Sequence, residues 1–65
     1  MNKTYETIRA ELKEVESAAA SYGRIYDYAI AEGFYEIAKQ ALAAESAANN
    51  LYHSLYSQAT EMLVN

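Results

Sequence analysis

The chain has 65 residues, with seven tyrosines, no cysteine, no proline and a formal net charge of −4. This length allows one domain at most, and the absence of cysteine excludes disulfides and thiolate metal sites. The acidic balance argues against nucleic-acid binding, which needs clustered Lys and Arg, and no apolar run approaches the roughly 18 residues of a membrane span. The mixed-charge start lacks the apolar core of a secretion signal, so we expect a cytoplasmic protein.

The first predicted element is a helix over about residues 3–32. Apolar residues recur there at alternating intervals of three and four, as on the packed face of a helix in a bundle or coiled coil. Asn2 or Thr4 is placed to cap the first turn, and Glu6 lies near the positive end of the helix dipole. The residues predicted to face the core are Tyr5, Ile8, Leu12, Val15, Ala19, Tyr22, Tyr26 and Ala29.

A tight turn is predicted at Gly33. Extending the first pattern would place Gly33 and Glu36 on the packed face, whereas the next apolar series begins one residue later, at Phe34. An unbroken helix would rotate its apolar face by about 100° at this point, which serves no purpose in a straight rod. Because glycine takes the left-handed conformation that ends a helix without steric cost, we expect Phe34 to fold back onto Ala29 or Ile30.

The second predicted helix covers about residues 34–63, so that residues 1–65 form one all-α antiparallel hairpin. A break at Gly23 or at Asn49–Asn50 would give three helices instead, but the apolar spacing continues through both places. Gly23 is therefore interpreted as a glycine inside a helix, at a cost of about 1 kcal/mol relative to alanine. The residues predicted to face the core are Phe34, Ile37, Ala41, Ala44, Ala48, Leu51, Leu55 and Met62, with Ala59 in place of the polar Gln58.

The segment EGFYEIA, Glu32 to Ala38, resembles the turn between two helices in rubrerythrin and other ferritin-like proteins. The resemblance implies a helical hairpin. It does not bring the di-iron chemistry of that family, because Ala48 and Leu51 stand where the family's Glu-x-x-His ligands would be. The plan of two long helices and a short turn is also similar to the plasmid copy-number protein Rop, without a shared motif that would imply RNA binding.

Self-association is predicted because one hairpin is too small to bury its apolar residues. We expect a homodimer of hairpins that forms a four-helix bundle. The second helix carries an additional apolar row at seven-residue spacing, and contiguous exposed apolar surface usually marks an interface. Tyrosine is enriched in binding hot spots. The predicted interface residues are Tyr28, Tyr35, Leu42, Tyr52, Tyr56 and Leu63.

No catalytic, cofactor or metal site is predicted. His53 is the only histidine, and Ser57 and Asn49 lie one helical turn away on an open helix face that provides no pocket or oxyanion donor. The pattern favours a noncatalytic interaction module that binds itself and a protein partner. By size and charge the chain is similar to phage-encoded inhibitors such as anti-CRISPRs. The alternative is a degenerate ferritin-like or rubrerythrin-like hairpin with a metal-binding role.

Overall fold

A computed structural model describes residues 4–64, which form two helices, α1 (Tyr5–Glu32) and α2 (Tyr35–Val64), packed against each other as a hairpin. The predicted all-α hairpin is thereby confirmed. Both helices continue without a break through Gly23 and through Asn49–Asn50, so the three-helix alternative is wrong.

The start of α1 is fixed by a side-chain cap. Thr4 has an extended backbone, and its hydroxyl oxygen accepts a hydrogen bond of 3.1 Å from the backbone N–H of Thr7. This bond satisfies one of the N–H groups that have no partner within the first helical turn. Glu6 lies in the same turn, where its charge favours the helix dipole. Asn2, the other predicted cap, lies outside the described residues.

The turn between the helices is a Schellman motif centred on Gly33. Its backbone is left-handed, with φ 79° and ψ 18°, and no other described residue has a positive φ. The N–H of Gly33 donates to the carbonyl of Ile30 at 3.2 Å, and the N–H of Phe34 donates to the carbonyl of Ala29 at 2.8 Å. These bonds satisfy carbonyls at the end of α1 and reverse the chain within two residues. The predicted position of the turn is confirmed.

The contact between the helices is lined mainly by alanine. Among residues 4–63, six apolar side chains are buried, and four of them are alanines. The larger two, Ile8 and Leu55, form a cluster with Ala59 at the end of the hairpin that is far from the turn. Small side chains allow two helices to approach closely, and large ones beside the contact are then left at its edges. The buried residues are Ile8, Ala29, Ala38, Ala41, Leu55 and Ala59.

The packed face of α1 agrees with the prediction, whereas that of α2 agrees only in part. The residues predicted for α2 that are buried or half-buried are Ala41, Ala44, Ala48, Leu55 and Ala59. All eight residues predicted for α1 are buried or half-buried. On α2, Ile37 and Leu51 are about half exposed, at 49% and 50%, although both were predicted to lie in the core. Their neighbours Ala38 and Tyr52 lie towards α1 instead. Phe34 and Met62, also predicted as core residues, are exposed as well. The buried or half-buried positions on α2 are Ala38, Ala41, Ala44, Glu45, Ala48, Tyr52, Leu55 and Ala59.

The resulting molecule is a short rod. Its dimensions are 49 × 19 × 14 Å, and its radius of gyration is 14.7 Å. A compact domain of 65 residues would have a radius of gyration of about 11 Å. The elongated shape leaves both broad faces of the hairpin open to solvent, and these faces carry the candidate functional surfaces.

Candidate interaction surfaces

Most of the large apolar side chains of this protein lie outside its core. In the described part of the chain eleven of them are exposed, and none of the buried side chains there apart from Ile8 and Leu55 is larger than alanine. A typical soluble domain has the opposite distribution, with Ile, Leu and Phe among its most buried residues. The exposed residues are Ile25, Tyr28, Ile30, Phe34, Tyr35, Ile37, Leu42, Leu51, Tyr56, Met62 and Leu63.

On α2 these side chains form two rows that flank the contact with α1. The groove row consists of Ile37, Ala44 and Leu51, and the tyrosine row consists of Tyr35, Leu42, Asn49, Tyr56 and Leu63. Within each row the residues are seven apart, which places them one above another along the helix. The rows differ by two positions, or about 200° around the helix. They therefore lie on the two opposite broad faces of the hairpin.

The groove row borders an apolar groove between the helices. One part of the groove has a volume of about 370 Å³, and the part next to it has a volume of about 270 Å³. Both parts of the groove are lined by Tyr22 and Ala44, so they adjoin each other at these two residues. None of the lining residues is charged. They are Val15, Ala18, Tyr22, Ile25, Ile37, Gln40, Ala41, Ala44, Ala47, Ala48 and Leu51.

The opposite broad face, which carries the tyrosine row, is more polar. Its α1 side is formed by Arg9, Glu16, Gly23 and Ile30, which are seven residues apart and two positions from Ala18 and Ile25 of the groove. A carboxylate also reaches into this face, because Oε2 of Glu45 lies 2.9 Å from the point where a side chain at Gly23 would place its Cβ. Glycine at this position therefore leaves space that the half-buried Glu45 fills.

The predicted interface residues divide between these surfaces and the helix contact. Tyr35, Leu42, Tyr56 and Leu63 are exposed along the tyrosine row. Tyr28 is exposed on α1, one turn after Ile25. Tyr52 differs from the others, because it is half-buried on the side of α2 that packs against α1. Its ring stacks on that of Tyr56, with 6.3 Å between ring centroids, and so joins the core to the tyrosine row.

The sequence prediction missed the groove, because Ile37 and Leu51 were assigned to the core. The signal that could have revealed it is the seven-residue spacing of Ile37, Ala44 and Leu51, which matches that of the tyrosine row. Two such rows beside a central alanine-rich face indicate a helix with apolar residues on three adjacent strips. Such a helix has contacts on more than one side.

Histidine and acidic groups do not assemble into a site within the described part of the chain. His53 is exposed and lies edge-on to the ring of Tyr52, at 6.1 Å between centroids. Among residues 4–64, no three His, Asp or Glu side chains are grouped in a way that could hold a metal ion. Neither helix, over the same residues, is both long and apolar enough to cross a membrane.

Comparison with protein-family models, with curated proteins and with solved structures finds no match to this chain. The geometry of the two broad faces is therefore the basis for the function proposed below.

Proposed function

We propose that this protein is a noncatalytic interaction module that self-associates as a dimer of hairpins, forming a four-helix bundle, and that binds a protein partner. The observation that carries the proposal is the inverted distribution of side-chain size, with alanines between the helices and Ile, Leu, Phe and Tyr on the outside. Fully burying an exposed Ile or Leu contributes about 1.5–3 kcal/mol. When a partner covers half-exposed residues such as Ile25, Ile37 and Leu51, each contributes about half of that free energy to binding.

The surface area of the chain supports a dimer of ordinary size. The accessible surface is 5093 Å², whereas a compact 7.3 kDa protein exposes about 4,200 Å². The excess is therefore about 900 Å² per chain. Stable protein complexes bury about 800 Å² on each partner. One broad face of a rod measuring 49 by 19 Å is large enough to supply this area.

A second surface remains for a different protein when one broad face is used for self-association. The tyrosine row has the composition of such a surface, since Tyr35 and Tyr56 alternate with Leu42 and Leu63 at exposed positions. Tyrosine and other aromatic residues are enriched at interface centres, where charged groups are depleted. From Ser46 to Thr60 the chain has no Asp, Glu, Lys or Arg. A solvated helix face usually carries such residues, so their absence favours a protein contact.

Sedimentation equilibrium of the purified chain from 1 to 200 µM tests self-association. We expect the mass to rise from that of one chain to that of two, and the melting temperature to rise with protein concentration, because dimerisation is coupled to stability by mass action. A chain that stays at 7.3 kDa over the whole range, with a sharp melting transition at constant temperature, contradicts the proposal.

The partner is tested with a double variant, Leu42→Ser with Tyr56→Ser, and with Glu36→Gln as a matched surface control. Each protein is immobilised and exposed to a lysate of the organism that encodes it. We expect a protein that binds the wild type and the control in stoichiometric amounts, and that the double variant fails to retain. Equal capture by all three proteins would argue against the tyrosine row as the partner surface.

A further inference from the structure

We propose that a second copy of this chain docks on the apolar groove, around a two-fold axis that passes beside Ala44 and runs across the helices. This inference rests on the proposed self-association and specifies its geometry. The turns of the two hairpins then lie at opposite ends of the bundle, and α2 of one copy packs antiparallel on α2 of the other. The tyrosine rows remain on the outside of the dimer.

The groove row has the symmetry that such an axis requires. A two-fold interface brings the same surface patch of both copies together, so that each contact occurs twice. Ile37 and Leu51 are each seven residues from Ala44. With the axis beside Ala44, Ile37 of each copy lies opposite Leu51 of the other, and the two Ala44 residues face each other. The small alanine at the centre lets the helices approach, and the large residues fill the space on either side.

The other helix of the groove is consistent with the same axis. Tyr22 and Ala44 lie together where the two parts of the groove meet, so they are at the same height along the rod. Ala18 and Ile25 of α1 are four residues before and three residues after Tyr22. An axis at this height therefore places Ile25 of each copy opposite Ala18 of the other. The same axis thus pairs a large residue with a small one on α1 and pairs Ile37 with Leu51 on α2.

The two parts of the groove are exchanged by this axis. Leu51 borders the part of about 370 Å³, and Ile25 and Ile37 border the part of about 270 Å³. After rotation, Leu51 of one copy points towards the smaller part in the other copy, and Ile25 and Ile37 point towards the larger part. The large residues that border one part of the groove therefore lie over the other part in the second copy.

The charges favour the groove over the opposite broad face for a dry contact. None of the groove's lining residues is charged. On the opposite face Arg9 and Glu16 flank the helix contact, and the carboxylate of Glu45 fills the space above Gly23. Covering that face with apolar side chains would remove a carboxylate from water without a compensating partner, which is costly. The uncharged residues that line the groove can be covered without this cost.

Single-cysteine variants locate the axis directly, because the natural chain contains no cysteine. A residue beside a two-fold axis lies close to the same residue of the other copy. Two cysteines form a disulfide when their Cα atoms are about 4.4–6.8 Å apart. We compare Ala44→Cys with Asn49→Cys, which lies at the centre of the tyrosine row between Leu42 and Tyr56. Both variants are oxidised as folded dimers, with helix content checked by circular dichroism, and are separated by non-reducing electrophoresis.

We expect Ala44→Cys to convert to a covalent dimer with a yield at least five times that of Asn49→Cys. Cross-linking through Asn49→Cys alone, or equally through both positions, overturns the proposed axis but leaves self-association intact. A dimer that is found by sedimentation and cross-links through neither position also overturns it, since the copies then pack around another axis. A chain that sediments as a monomer overturns both this inference and the proposed function.

A second measurement does not depend on cysteine. Leu51→Gln should weaken the dimer at least tenfold, because each dimer loses two central apolar contacts, whereas Leu42→Gln on the tyrosine row should change the dissociation constant less than twofold. Both leucines are 50% exposed in the single hairpin, so the two changes are closely matched. The reverse order of effects would place the second copy on the tyrosine row.

Discussion

Replacing Gly33 by alanine should destabilise the hairpin, whereas the same replacement at Gly23 should not. At Gly33 the backbone is left-handed, with φ 79°. A Cβ at this position meets no other atom within 4 Å, so the cost comes from the backbone conformation alone. That cost is about 1–2 kcal/mol for a residue with a side chain. Alanine also restricts the unfolded chain, and this offsets about 0.4–1 kcal/mol of the cost. We therefore expect the free energy of unfolding to fall by about 1 kcal/mol.

Gly23 provides the matched comparison, because it lies inside α1 with helical geometry. Alanine gains about 1 kcal/mol over glycine in a helix interior. The new Cβ would lie 2.9 Å from Oε2 of Glu45, which is too close, but this atom is the end of a flexible side chain that can move. We therefore expect Gly23→Ala to leave stability unchanged or to raise it slightly. Adding Glu45→Ala should then release the full gain in helix propensity.

Thermal unfolding measured by circular dichroism at one fixed protein concentration tests the comparison. A change of 1 kcal/mol shifts the melting temperature of a domain of this size by about 4–8 °C. Gly33→Ala should lower it by that amount, and Gly33→Asn should lower it less, since asparagine tolerates the left-handed region. If Gly33→Ala instead raised the melting temperature, residue 33 would be helical, and the chain would be one continuous rod rather than a hairpin.

Two further predictions concern the core and the cap. Leu55→Ala should lower the free energy of unfolding by about 2–5 kcal/mol in urea titrations, because Leu55 is fully buried, whereas Ala20→Ser on the exposed surface should change it by less than about 0.5 kcal/mol. Thr4→Ala should cost about 1 kcal/mol by removing the cap of α1, and Thr4→Asp should restore most of it; equal losses in both variants would argue against capping.

The turn and the packed face of α1 could be predicted because the sequence offers one solution for each. Only a turn at Gly33 accounts for the shift between the two apolar series. The series of α1 has one strip of large residues, which runs from Tyr5 to Tyr26. The cap at Thr4 was predictable from the same local chemistry, since its side chain competes for the N–H groups of the first turn.

The packed face of α2 could not be assigned from hydrophobicity alone. This helix has apolar residues on three adjacent strips, and the prediction chose the strip with the largest of them, including Ile37 and Leu51. The helices pack through Ala38, which the prediction left out, together with the predicted Ala41, because close approach depends on small side chains rather than on hydrophobic ones. A single sequence does not reveal which strip meets α1 and which meets another chain. The groove was missed for this reason.

The cluster of Ile8, Leu55 and Ala59 has a consequence for how the hairpin fluctuates. It holds the two helices together at the end where the chain does not connect them, while the turn holds them at the other. The central stretch around Tyr22 and Ala44 has only small or half-buried contacts between these two points. Amide hydrogen exchange is fastest where local packing is weakest. Separation of one helix from the other would therefore begin in the middle of the rod, between the cluster and the turn.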